Sequence, residues 1–172
     1  KAWLGKDLIE SAEMMRELDE KQYRWVWGGE SIGVDELIYY MFSDRHKARP
    51  TQKKYSLIGI GVDYGQQNAT TYQAFGLDIY HKQLEGMMEY YHSGRDSGKQ
   101  HSPSEYAKAF IQMTDRLHEM YSCNAFYVFI DPSAKGLSEE IKRASAGRMY
   151  GISLKDAENT VALGIARVQK CL

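Results

Sequence analysis

Two apolar runs that each end in an aspartate constrain this chain more than any other feature. Residues 55–62, YSLIGIGV, run into Asp63, and residues 125–130, AFYVFI, run into Asp131. Near-continuous apolar runs of this length predict strands buried on both faces. In an α/β sheet, ligands gather at the carboxyl ends of adjacent parallel strands. If the two strands are neighbours, Asp63 and Asp131 face the same small volume.

The remaining pattern supports such a sheet. Leu8, Ile9, Ala12, Met15 and Leu18 recur at helical spacing and predict a helix over 5–19, with Gly28-Gly29 breaking any continuation. ELIYYMF, 36–42, reads as a short extended segment. Residues 45–54 hold five Lys or Arg and one Pro and read as a linker, so residues 1–50 form an N-terminal appendage and 51–172 the main domain. Beyond Asp63, Gly65-Gln66-Gln67-Asn68 supplies turn residues. Strands follow over 69–80 and 84–91, then a polar loop over 92–102.

Ser102-Pro103-Ser104-Glu105 carries the start signals of a helix over 103–121, with Ser102 as N-cap and Glu105 at N3. Tyr106, Phe110, Met113, Leu117 and Met120 form its apolar stripe. A short helix is predicted over 138–146 and a weak strand over 148–154. A last helix over 155–172 places Ala157, Val161, Ile165, Val168 and Leu172 inward. The main domain thus reads βββαβαβα, a mixed α/β sheet flanked by helices.

Composition excludes several classes. A chain of 172 residues with net charge −1 carries no global basic field, so any nucleic-acid site is a local patch. No apolar run is long enough for a transmembrane helix, and no secretory signal opens the chain. The absence of an initial Met leads us to expect the natural N-terminus upstream of Lys1. Cys123 and Cys171 have no CxxC spacing and read as reduced, incidental thiols. Asn68-Ala69-Thr70 matches a glycosylation sequon by chance.

Asp63 and Asp131, held close, repel each other, and divalent cations remove that penalty. Hard oxygen ligands suit Mg²⁺ or Mn²⁺, and a pair of such ions drives phosphodiester hydrolysis. Each Asp singly has an alternative reading as a strand-end turn or cap; Asp131-Pro132-Ser133 makes a good cap. GRDSGKQ, 94–100, fails as a phosphate loop because the glycine spacing is short and Gln follows Lys99. The basic run 45–54 and the loop bearing His92, Arg95, Lys99 and His101 are candidate phosphate contacts, or solvated faces. The five histidines form no HxH or HExxH pattern, and His118 reads as a surface residue.

The element order and the two Asp positions resemble the RNase H-like nuclease fold. VDYGQQNATTYQAFGLD, EYYHSGRDSGKQHSPSEYA, the strand running into Asp131-Pro132-Ser133 and the segment KDAENTVALGIARVQ together resemble the nuclease domain of tailed-phage terminase large subunits. QYRWVWGGESIGVDELIYYMF is similar to the segment that precedes that domain in the family. The resemblance implies a Mg²⁺- or Mn²⁺-dependent endonuclease that cuts concatemeric double-stranded DNA during packaging by a two-metal reaction. It implies Asp63 and Asp131 as metal ligands and catalytic residues. It implies an ATPase domain, a small subunit and a portal as partners, no membrane, and a bacterial host cytoplasm as the setting.

The family's third carboxylate is implied to lie on a helix beyond Leu172; Asp156, at the start of the last predicted helix, is a candidate of unfitting spacing. Two other readings stand beside this one. The first is a catalytically incomplete RNase H-like module for DNA binding or assembly. The second is an actin-like ATPase fragment, because IGVDYGQQNAT resembles that superfamily's first phosphate loop.

Overall fold

The computed structural model describes residues 6–18, 20–29, 37–47, 49–50, 54–55, 57–65, 68–78 and 80–172. The chain divides into two compact units, Lys1–Phe42 and Ser43–Leu172. The basic run 45–54 therefore falls inside the second unit rather than between the two, and its residues 48 and 51–53 lie outside the described residues.

In the first unit, α1 (Lys6–Leu18) matches the predicted helix, and α2 (Glu20–Val26) follows it before Gly28 and Gly29. Gly29 is left-handed, φ 62°, a conformation that suits glycine at the end of a helix. Residues 38–41 form a turn, not an extended segment. The Tyr40 and Phe42 N–H groups donate to the Leu37 and Tyr39 carbonyls, closing it locally.

The second unit is built on five strands: β1 (Leu57–Asp63), β2 (Ala69–Asp78), β3 (Gln83–Ser93), β4 (Ala125–Ile130) and β5 (Gly151–Asp156). They form one sheet in the order β3-β2-β1-β4-β5. β1, β2 and β3 meander antiparallel, while β4 and β5 join parallel to β1. The helices are α3 (Gly94–Ser97), α4 (Pro103–Tyr121), α5 (Lys135–Ser145) and α6 (Val161–Cys171). The order βββαβαβα is as predicted, with the single turn α3 added inside the polar loop. This is a five-stranded mixed sheet flanked by helices.

The sheet buries one face. Ile58, Ile60 and Val62 of β1, Tyr72 and Ala74 of β2, and Phe126, Val128 and Ile130 of β4 join Tyr106, Phe110, Met113 and Leu117 of α4 and Leu137 and Ile141 of α5 in the core. Tyr72 packs edge-on to Phe110 with ring centroids 5.4 Å apart. On the other face the same strands alternate outward, and Phe75, Tyr127 and Phe129 are more than a third exposed. The expectation of strands buried on both faces is thus corrected. The outward positions of β1 include Gly59 and Gly61, which present no side chain. A Cβ at Gly59 would lie 4.0 Å from the Phe129 ring, so the aromatics of β4 border the glycine strip.

The cap of α4 is as the sequence states. Ser102 Oγ accepts from the Glu105 N–H, and the Ser102 N–H donates to Glu105 Oε2 at 2.8 Å. Met120, assigned to the apolar stripe, is exposed, and Tyr121 is buried instead. The inward set assigned to the last helix is also corrected, because α6 buries no residue and Val161 is 74% exposed. Helical periodicity gives a face but not what covers it.

These burials set expected costs. Phe110→Ala should lower the unfolding free energy by about 3–5 kcal/mol, the range for a fully buried aromatic in a well-packed core. Val161→Ala should stay within about 0.5 kcal/mol. Urea unfolding followed by circular dichroism checks both; equal losses would contradict the exposure of α6.

Candidate functional site

Five chain ends converge on one edge of the sheet: the ends of β1, β3, β4 and β5 and the start of β2. Asp63 closes β1, and Asp131 follows β4 immediately. Val62 pairs with Ile130 in parallel register, so Asp63 and Asp131 stand side by side, one residue beyond that pair. Strand spacing puts their backbones about 5 Å apart. Alternation turns the Asp63 side chain to the open face, away from Val62, while Asp131 lies just beyond the last paired residue of β4.

The chain around Asp63 is held by its neighbours. Buried Thr70 donates its hydroxyl to the Gly65 carbonyl (3.1 Å) and accepts from the Gly65 N–H (3.3 Å). A Cβ at Gly65 would sit 2.6 Å from the Ala69 carbonyl oxygen, so the approach of the two segments requires glycine. Tyr64 then packs edge-on to Tyr106 of α4.

Asp131 is held more fully. Its Oδ1 accepts from the Ser133 N–H at 2.7 Å, its carbonyl from the Ala134 N–H, and its Oδ2 from the Asn159 side-chain amide. Hydrogen bonds from Ser133, and then from Asn159, hold its carboxyl below the usual range. Asn159 lies just before α6 and was not singled out in the sequence. Its only signal was its place inside the segment KDAENTVALGIARVQ, since pairing across 28 residues leaves no local pattern.

Asp156 is not at a helix start. It is the last residue of β5, paired with Ile130, and α6 begins only at Val161. Alternation therefore places it on the Ile130 face, opposite Asp63. Lys155, paired with Phe129, lies on the same face as Asp63. Among the described residues no group of three or more His, Cys, Asp or Glu is arranged to hold a metal. Carboxylates such as those of Asp63 and Asp131 are hard oxygen donors of the kind Mg²⁺ and Mn²⁺ take, ions that keep several waters when bound through one or two carboxylates.

The other candidates sort as follows. The 92–101 segment lies at the same sheet edge, because Thr70 pairs with His92 and Ala69 with Ser93. Residues 94–97 form the single turn α3, followed by left-handed Gly98. His118 Nδ1 lies 2.8 Å from the Cys123 carbonyl, a structural contact on the far end of α4. Burial pushes the Cys123 thiol up, and neither cysteine forms a disulfide.

No protein-family model matches the sequence, and no curated protein matches it. Solved structures do. The large terminase of a thermophilic bacteriophage superposes with a TM-score of 0.63 at 23% identity, covering 96% of this chain and 39% of that one. The same protein in complex with ATP-gamma-S gives 0.61 at 25% identity over the same shares. The P22 large terminase nuclease domain gives 0.53 at 12% identity, covering 77% of this chain and 66% of that one. The chain has the fold of a large-terminase nuclease domain. It spans about two-fifths of the length of the thermophilic phage terminase.

In this terminase-type fold the asparagine contact is a separable feature of the site. Asn159→Ala should raise the Asp131 titration midpoint, because a hydrogen bond to the charged form is lost. Carboxyl-carbon NMR titration reads the shift directly. Asp131 is depressed in the fold, so its stability contribution is present above the unfolded carboxylate pKa. It is lost as the pH falls through the folded value. An unchanged midpoint in the variant would show that Asn159 does not act on Asp131.

Proposed function

We propose that this chain is the metal-dependent endonuclease domain of a DNA-packaging terminase large subunit, with double-stranded DNA as substrate. The carrying observation is the pair Asp63 and Asp131, side by side where two parallel strands end. The likeness to the thermophilic phage terminase and the P22 nuclease domain supports the same reading. An ATPase domain, a small subunit and a portal are the partners this reading brings, and the host cytoplasm is its setting.

In this reading Asp63 and Asp131 offer hard oxygen donors to Mg²⁺ or Mn²⁺. Ions bound there supply charge stabilisation at the phosphate and an activated water for hydrolysis. The chain's own part is positional. The Thr70–Gly65 clamp fixes the exit of β1 and with it Asp63. Ser133 and Asn159 fix the Asp131 carboxylate in its charged form. Each oxygen of Asp131 keeps a second lone pair for a cation. Lys155, on the same face as Asp63, offers a positive charge to the polyanion.

A second reading keeps one observation on its side. Both oxygens of Asp131 are engaged by protein donors, as in a structural cap. A catalytically incomplete module for DNA binding or assembly accounts for that equally.

Supercoiled plasmid incubated with Mn²⁺, Mg²⁺ or chelator separates the two. Cutting should be metal-dependent, stronger with Mn²⁺, and low in sequence preference. Asp63→Asn and Asp131→Asn should each reduce it by about a hundredfold or more, the scale on which an essential charged group acts. Cutting that survives chelator, or that persists in both variants, assigns the activity to other residues. Binding of DNA with no cutting under any metal favours the second reading.

A further inference from the structure

At the β3 end of the same sheet edge, His92 and His101 stack face to face. Their ring centroids are 3.7 Å apart and their planes differ by 4°. Both rings lie edge-on to Tyr106 of α4, at 5.6 and 5.3 Å. The hydrogen bonds assign the proton on His92. Ser97 Oγ lies 2.7 Å from the Ser93 carbonyl and 3.1 Å from the Lys99 carbonyl, so its one proton goes to a backbone acceptor. It therefore accepts from His92 Nε2–H, and Tyr106 Oη–H donates to His92 Nδ1 at 2.9 Å.

Neutral His92 is thus fully satisfied, whereas His101 Nδ1 is buried with no hydrogen-bond partner. Burial first, and then the neighbouring His101, hold the His92 pKa below the usual histidine range. The charged groups facing the pair are Lys99, which opposes protonation, and Glu105, which favours it and is itself 3.6 Å from Lys99. Tyr106 is the remaining titratable group packed on both rings. Arg95 is exposed one turn away and has no carboxylate partner among the described residues.

We propose that residues 92–101 form a DNA-backbone contact in which Arg95 and Lys99 meet phosphates and the stacked His92–His101 pair takes up one proton when a phosphate arrives. The proposal rests on double-stranded DNA being the substrate, as in the preceding subsection. Two physical arguments carry it. First, paired carboxylates repel a polyanion, so a site built on Asp63 and Asp131 needs cations beside it. His92 lies two strands from Asp63 at the same end of the sheet, but it pairs with buried Thr70 and turns toward α4, whereas Asp63, paired with Thr71, turns to the open face. Two strand spacings are about 10 Å, or about three nucleotides at a rise of about 3.4 Å.

Second, two stacked imidazoles can hold one proton but not readily two, because like charges at that spacing repel. In the free protein both ring nitrogens of neutral His92 are already satisfied, and burial disfavours its charged form. A phosphate supplies the counter-charge that stabilises the protonated pair, so binding takes up a proton and strengthens as the pH falls.

The test uses the whole chain and a fluorescein-labelled 20-base-pair duplex, with chelator present so that no strand is cut, read by anisotropy. From pH 7.5 to 5.5 the wild type should tighten by about three- to tenfold. His92→Gln and His101→Gln should each flatten that dependence. Arg95→Ala with Lys99→Ala should weaken binding at every pH and lower the salt slope by about two. Melting curves identify any variant that fails to fold. His92→Gln loses contacts to Tyr106 and Ser97, so the exposed Arg95 and Lys99 pair keeps the idea refutable.

Binding that is independent of pH, unchanged in the Arg95/Lys99 double variant, or absent at every pH overturns the proposal. Its failure is distinct from that of the nuclease reading. If the loop variants cut plasmid with Mn²⁺ as the wild type does, the contact is wrong and the nuclease stands. If the wild type binds with the stated pH dependence yet never cuts, the contact stands and the nuclease reading falls.

Discussion

The parallel pairing of β1 with β4 is the interaction on which the rest of the second unit depends. It joins strands separated by more than sixty residues, and it sits at the centre of the order β3-β2-β1-β4-β5. Parallel strands need a crossover, and here α4 supplies it, crossing one face of the sheet between β3 and β4. That path explains why Ile58, Ile60, Phe126 and Val128 are fully buried against Phe110 and Leu117. It also fixes the register that brings Asp63 and Asp131 abreast. A shift of one residue would turn one acid to the core face, where an unpaired carboxylate is costly.

The same arrangement makes the open face unusual. Its floor includes Gly59 and Gly61, bordered by the aromatics of β4 and by Phe75 of β2. At this end of the sheet the chemistry changes sign from strand to strand. Two acids stand at the ends of β1 and β4, Lys155 lies on one flank, and Arg95 and Lys99 lie beyond the other.

Much of the fold was legible because its signals are local. The Ser102–Pro103–Glu105 cap, the apolar stripe of α4 and the five strand-forming runs each report on residues within one turn or one strand. The two runs ending in acids named Asp63 and Asp131 before their adjacency was visible. The departures in burial share one cause, which is that burial is decided by what packs on an element. The outward faces of β1 and β4, Met120 and the residues of α6 all have apolar character yet stay exposed. Asp156 was misassigned because β5 extends to it, held by β4 through the Ile130 pairing.

By itself, the sequence determined the order of extended and helical segments in the second unit, and that two of the extended ones end in carboxylates. These follow from side-chain periodicity and capping, which act over a few residues. Only the tertiary structure decided that β1 and β4 are neighbours in a register that aligns Asp63 with Asp131, because pairing across more than sixty residues leaves no trace in local pattern. It alone brought Asn159 to Asp131 and stacked His101 on His92. Those contacts are made by chain crossings, and their geometry is set by the sheet that the core face holds in place.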